Sequence, residues 1–196
     1  MASKDVQSFI DLYQKNLISV LVNFDWLPVH QLAYEMYTCW KEDRQIFICG
    51  NGGSGANAVH MANDLIYGIS KTFGHGLKCH ALSANNSIVT CLANDEGYGN
   101  VFSYQIAVLA KKDDVLLVLS GSGNSENIIN VIKTAQAKGL KTYGILGYSG
   151  GKAKEMVETP IHFAIDDMQI SEDLQMIVVH IISQWLYKNR NEFSST

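Results

Sequence analysis

His60 and Asp64 lie four residues apart. In a helix that spacing sets an imidazole and a carboxylate on one face, about 6 Å apart at the backbone. Such a pair can bind a metal ion or move protons. It follows a glycine-rich turn, Gly50-Asn51-Gly52-Gly53-Ser54-Gly55, which itself follows the apolar, strand-like run Gln45-Ile46-Phe47-Ile48-Cys49. A strand, a glycine turn and a helix start make an anion cradle, because free backbone N–H groups and the positive helix end face outward together. A second turn of this kind, Ser120-Gly121-Ser122-Gly123-Asn124-Ser125-Glu126-Asn127, follows the run Val115-Leu116-Leu117-Val118-Leu119. Its three hydroxyls and backbone donors suit a phosphate monoester. Neither turn fits the dinucleotide fingerprint G-x-G-x-x-G, and neither has the lysine of a nucleotide P-loop.

The elements that must carry these residues read as an alternating α/β chain. Apolar positions recur at helical spacing over residues from about 4 to 24 (Val6, Phe9, Ile10, Leu12, Tyr13, Leu17, Val20, Leu21, Phe24) and again from Pro28 through Leu32, Met36 and Trp40. These two leading helices, within residues 1–43, pack either on the domain's own core or against another subunit. Strands are expected at about 45–49, 77–82, 114–119, 141–146 and 161–165, with helices at about 55–69, 99–111, 125–138 and 150–157. That order predicts a five-stranded parallel sheet with helices on both faces, in a single domain over residues 1–196. A last helix at about 171–189 is apolar nearly all round, as deeply buried or interface helices are. Turns at the C-terminal ends of such strands are where open α/β sheets bind ligands.

Composition narrows the classes. With 15 basic and 19 acidic residues the net charge is −4, so nothing in bulk electrostatics favours nucleic acid or an anionic membrane. Hydrophobic residues make up 47% and charged residues 17%, a lightly charged globular balance. Cys39, Cys49, Cys79 and Cys91 form no CxxC pair. The start has no basic-then-apolar plan and no apolar run approaches 18 residues, so a reduced cytoplasm is the expected location.

The run Leu119-Ser120-Gly121-Ser122-Gly123-Asn124-Ser125 resembles the phosphosugar loop of sugar isomerase (SIS) domains. Gly50-Asn51-Gly52-Gly53-Ser54, His60, Ala93-Asn94-Asp95-Glu96-Gly97-Tyr98 and His180 narrow the resemblance to the phosphoheptose isomerases, which act on sedoheptulose 7-phosphate. The likeness runs over essentially the whole chain. It implies a flavodoxin-like, three-layer sheet, a homotetramer with sites at subunit boundaries, and zinc-dependent conversion to D-glycero-D-manno-heptose 7-phosphate. Carried over, the substrate contacts fall on Asn51, Gly52, Gly53, Asp64, Asn94, Asp95, Ser120, Gly121, Ser122, Ser125 and Glu172. The metal ligands fall on His60, Asp64, Glu172 and His180, and the catalytic roles on Asp64 and His180. Four positions depart from the family, one of them Gly121, where the family more often has threonine. Asp64 stands where the family has glutamate, Glu172 where it has glutamine, and Gln169 where it has aspartate.

A continuous helix puts Glu172 and His180 about 12 Å apart along its axis. The two then share a metal only at the limit of reach or from different subunits. The competing reading is a non-catalytic SIS protein that senses a phosphosugar or serves as an adaptor for a replication initiator. His30, His75, His80 and His162 match no site position and read as structural.

Overall fold

The computed structural model describes residues 5–71 and 74–193. Two helices lead, α1 (Val6–Asn23) and α2 (Leu27–Lys41). The expected first residue of α1, Lys4, lies outside the described residues. Asp5 caps α1 by accepting the Gln7 N–H at 3.1 Å, and Pro28 stands in the first turn of α2, where its missing N–H costs nothing. Then come β1 (Gln45–Gly50), α3 (Gly52–Asn63), a π-helical turn (Asp64–Gly68), β2 (Lys78–Ala81) and α4 (Asn86–Asp95). A 3-10 turn (Tyr98–Asn100) leads into α5 (Ser103–Leu109), β3 (Val115–Ser120), α6 (Glu126–Ala137) and β4 (Lys141–Leu146). The chain finishes with α7 (Gly151–Met156), β5 (Thr159–His162), α8 (Met168–Asn189) and a short 3-10 turn.

The five strands form one all-parallel sheet in the order β2-β1-β3-β4-β5. Successive strand side chains point to opposite faces, and here both faces are covered. Ile46, Ile48, Val115, Leu117 and Leu119 enter one core with α2, α3 and α8. Phe47, Cys49, Leu116 and Val118 enter the other with α5, α6 and α7. This is why β1 and β3 read as unbroken apolar runs.

The chain steps from β1 outward to β2, then returns to lay β3 on the other side of β1. The connections after β1 and β3 therefore leave toward opposite faces, and a crevice opens between their C-terminal ends. Gly50 and Leu119 are paired across that point, so the two small-residue turns start side by side.

Several boundaries differ from the expected ones. The first site helix starts at Gly52, because glycine and serine here form its opening turn rather than a loop. Helix α4 was not among the expected elements, and none of its residues is fully buried; its start is set by Asn85, whose side chain accepts the Ile88 N–H at 3.2 Å. β5 lies at Thr159–His162 rather than 161–165, with Pro160 tolerated on an edge strand. The last helix is not buried all round: Ile170, Leu174, Val178, Ile182 and Leu186 face the core, while Ile181 is half exposed. Helix α1 lays Tyr13, Leu17, Val20 and Leu21 on the core yet leaves Val6, Phe9, Leu12, Ile18 and Val22 exposed. No helix among the described residues is long and apolar enough to cross a membrane.

Candidate active site

Helices α3 and α8 lie side by side and run in the same direction, in step. Near their starts, the Glu172 carboxylate fills the space that a β-carbon on Gly53 would take. One turn on, Asn57 Nδ2 donates to the Glu172 carbonyl at 3.0 Å and to Gln175 Oε1 at 2.9 Å. Gln175 Nε2 in turn donates to Ser54 Oγ at 3.0 Å. Gln175 and Ser54 are buried, and a buried amide costs stability unless its partners are supplied, as they are here. This seam fixes the rotation of α3 against α8. About one turn further along, it brings His60 opposite His180.

There the three metal-competent groups meet. His60 Nε2 and His180 Nε2 stand 3.2 Å apart. Asp64 Oδ2 is 3.5 Å from the first and 3.7 Å from the second. All three donor atoms lie within 4.8 Å of one another. Two ligands held tetrahedrally at about 2.0–2.1 Å from zinc are roughly 3.3 Å apart, so the donor set fits a zinc-sized ion. Asp64 ends α3 and opens the π-helical turn. Such turns recur at functional sites, because they rotate side chains out of the regular helical register.

Glu172 is not in this cluster. Helix α8 is continuous from Met168 to Asn189, so the expected axial separation from His180 holds within one chain. The Glu172 carboxylate instead sits at the N-terminus of α3, where the helix dipole favours negative charge. The four expected metal ligands are thus three plus one. The first turn, the initial candidate for a free anion cradle, already has a carboxylate at its mouth.

The second turn keeps its donors. Gly123 takes φ +65°, and a β-carbon there would strike the Gly150 carbonyl, so only glycine fits. Ser120 Oγ accepts the Gly123 N–H at 3.0 Å, and Ser122 Oγ accepts the Asn124 N–H at 3.3 Å. Both hydroxyls shape the turn and still have a hydrogen to donate. Ser125 is the N-cap of α6 and makes no side-chain cap bond. Beside Gly121 stands the Met168 thioether, its Sδ 2.6 Å from where a β-carbon would be. The start of α8 therefore walls this turn.

Asn94 and Asp95 end α4, where Asn94 Nδ2 donates to Asp95 Oδ1 at 2.7 Å. Cys91 Sγ donates to Asp95 Oδ2 at 3.5 Å, and this bond raises the thiol's pKa. Of the remaining histidines, His80 Nε2 meets Gln45 Oε1 at 3.0 Å, and His162 Nε2 meets the Tyr148 carbonyl at 2.9 Å.

Four polar residues that the sequence reading did not assign support the site: Asn57, Gln175, Tyr98 and Asn127. Asn57 does carry a signal. Gly53, Asn57, His60 and Asp64 make one polar stripe at helical spacing, and Gln175 lies on the matching stripe of α8.

The SIS domain family matches residues 12–147. A phosphoheptose isomerase from Aliarcobacter butzleri is 40% identical over 184 residues, covering 94% of this chain and 96% of that one. The Nitratiruptor enzyme of the same name is 35% identical over 159 residues, covering 78% and 84%. Among solved structures, the phosphoheptose isomerase from Neisseria gonorrhoeae superposes with a TM-score of 0.84 at 27% identity, covering 93% of this chain and 98% of that one. The Francisella tularensis structure gives a TM-score of 0.85 at 24% identity, covering 93% and 96%, a likeness of fold.

Proposed function

This chain belongs to the SIS-domain phosphoheptose isomerase family, and we propose that it interconverts sedoheptulose 7-phosphate and D-glycero-D-manno-heptose 7-phosphate in the crevice between β1 and β3. The observation that carries the reading is the convergence of His60, Asp64 and His180 on one point, in a chain this similar to named isomerases.

The reaction moves a hydrogen between C1 and C2 of the sugar through an enediol. One group must take a proton from carbon, another must serve the neighbouring oxygens, and the developing oxyanion needs stabilisation. We assign the carbon proton to the Asp64 carboxylate and the oxygen proton to His180. A zinc ion held by His60, Asp64 and His180 would supply Lewis-acid polarisation of the carbonyl. The phosphate is assigned to Ser120, Gly121, Ser122 and Ser125, and the reacting end of the sugar to Asn51, Gly52, Gly53, Asn94 and Asp95. The chain's own His60–Asp64 pair lies roughly 14–20 Å from Asn51 along α3, so the cluster that meets this sugar is a second copy's. Adjacent strands give the two turns a fixed spacing, so an extended sugar phosphate is held at both ends.

Glu172, set against Gly53, is placed to meet sugar hydroxyls in its own chain. Its role as a fourth metal ligand requires a second copy of the chain. The exposed apolar face of α1 suits such a copy, and a homotetramer with sites at its boundaries is the assembly we propose. Free thiols at Cys39, Cys49, Cys79 and Cys91 fit a reducing, cytoplasmic setting.

The test is an NMR assay of a ketose-phosphate panel with and without added zinc. Metal-dependent formation of the heptose aldose is expected. No turnover of any ketose phosphate with zinc supplied would overturn the reading in favour of a phosphosugar-binding SIS protein.

A further inference from the structure

The side chains of Asn51 and Asn127 form a reciprocal amide pair. Asn51 Nδ2 donates to Asn127 Oδ1 at 2.9 Å, and Asn127 Nδ2 donates to Asn51 Oδ1 at 2.8 Å. The Tyr98 hydroxyl donates to the same Asn51 oxygen at 3.0 Å. Three separate segments meet in this cluster. Asn51 follows β1, Asn127 lies in the first turn of α6 just after the serine-rich turn, and Tyr98 follows Asn94-Asp95. A further bond, from Asn130 Nδ2 to the Gly99 carbonyl at 3.0 Å, ties α6 to the turn that carries Tyr98. Asn127 is buried, whereas Tyr98 is 55% exposed.

The count of donors and acceptors limits what Asn51 can do. A carboxamide oxygen has two lone pairs, and both of those on Asn51 are taken. Its nitrogen has two hydrogens, of which one is taken. The side chain is left with a single donor and no acceptor. It can meet a carbonyl oxygen or a developing oxyanion, but it cannot accept from a sugar hydroxyl.

Resting on the isomerase reading, we propose that Tyr98 and Asn127 are positioning residues. They lock Asn51 as a one-proton donor to the sugar oxygen that gains negative charge as the enediol forms. The His60–Asp64–His180 cluster is supplied by a second copy of the chain, since its own lies roughly 14–20 Å away along α3. An oriented donor of this kind lowers the barrier more than it tightens ground-state binding. The lock should therefore be visible in kcat more than in KM. The phosphate site, built from the serine turn, should not sense the loss of the Tyr98 hydroxyl.

The experiment is a double-mutant cycle on Tyr98→Phe and Asn51→Ala in the full-length enzyme. It measures kcat and KM for sedoheptulose 7-phosphate and the inhibition constant of inorganic phosphate. Tyr98→Phe is expected to lower kcat about fivefold, the worth of one net hydrogen bond, with phosphate inhibition changed less than about twofold. In the Asn51→Ala background the same substitution should do almost nothing, because its route of action is already gone. Asn127→Ala is run through the same cycle, with the same expectation. Tyr98 is half exposed, so Tyr98→Phe keeps the test decisive even where Asn127→Ala weakens folding. Equal kcat losses in both backgrounds, or a parallel rise in the phosphate inhibition constant, would overturn the proposal while leaving the isomerase reading intact. Absence of wild-type turnover would defeat both.

Discussion

His60 and His180 are 120 positions apart in the chain, yet their Nε2 atoms face each other at 3.2 Å. Two imidazole nitrogens this close, with the Asp64 carboxylate beside both, share one point of convergence. One elementary expectation follows for metal binding. The purified protein should carry close to one zinc per chain, and His60→Ala should lose it. Zinc should also raise the melting temperature of the wild type. At a free concentration of about 100 times Kd, linkage adds about 2.7 kcal/mol of stability. Metal analysis and thermal scans check both halves.

Asp64 is one methylene shorter than the glutamate its family resemblance predicts. Its carboxylate nevertheless reaches both histidines, because it sits where α3 gives way to the wider π-helical turn. Asp64→Glu should retain or raise heptose isomerisation, since the longer side chain still reaches the cluster. Asp64→Asn should lower kcat by about 10²–10⁴, the usual worth of a general base. Near-total loss in Asp64→Glu would mean the site is built around aspartate for another substrate.

Gln175 is the buried fastener of the α3–α8 seam. Gln175→Ala removes partners from Ser54 and Asn57 together and should cost about 1–3 kcal/mol in a denaturant titration. Its effect should also reach the cluster one turn away as weakened zinc binding. Unchanged stability and zinc affinity would show that the seam is redundant.

The two glycines of the serine-rich turn should behave oppositely. Gly123→Ala forces a strained φ and a collision with the Gly150 backbone, and should sharply reduce stability. Gly121→Ser presses only on the flexible end of Met168, with the Tyr148 ring at ordinary contact distance, and should be accommodated by a rotamer change. The check is a pair of urea titrations alongside phosphate inhibition constants.

Alkaline pH should loosen the fold. Burial pushes the Cys39 and Cys79 thiols from 9.0 up to about 12, and the Tyr143 phenol from 10.0 up to about 12. Each group holds its proton more tightly folded than unfolded. Its contribution is complete below pH 9.0 for the thiols and below pH 10.0 for the phenol, and disappears as pH rises toward 12. Urea midpoints should therefore fall between pH 9 and 12, while thiol reagents at pH 8 label exposed Cys91 first. Asp95→Asn should speed that labelling, because the Asp95 carboxylate is what raises the Cys91 pKa.

Much of the architecture was legible because the sheet is covered on both faces. Strands such as Val115–Ser120 have no polar side to blur them, and their continuous apolar runs mark them out. Helix α4 was not legible, because none of its residues is fully buried: Leu92 and Ala93 only lean on the core, and Ile88 stays exposed. His60 and Asp64 could be paired from local spacing alone. Glu172 and His180 share a helix, but only the neighbouring α3 reveals that they serve opposite ends of it. The Asn51–Asn127 pair joins residues 76 positions apart, and no periodicity in either segment announces it.

The in-step alignment of α3 and α8 makes this part of the gene intolerant of changes in length. Deleting one residue between Asn57 and His60 would swing His60 by about 100° around its helix and carry it away from His180. Composition along the outer faces can drift freely by comparison. The irregular π-helical turn begins only at Asp64, after the last cluster residue of α3 has been placed. An extra residue there would leave the register upstream undisturbed, which makes Asp64 the far boundary of the segment of fixed length.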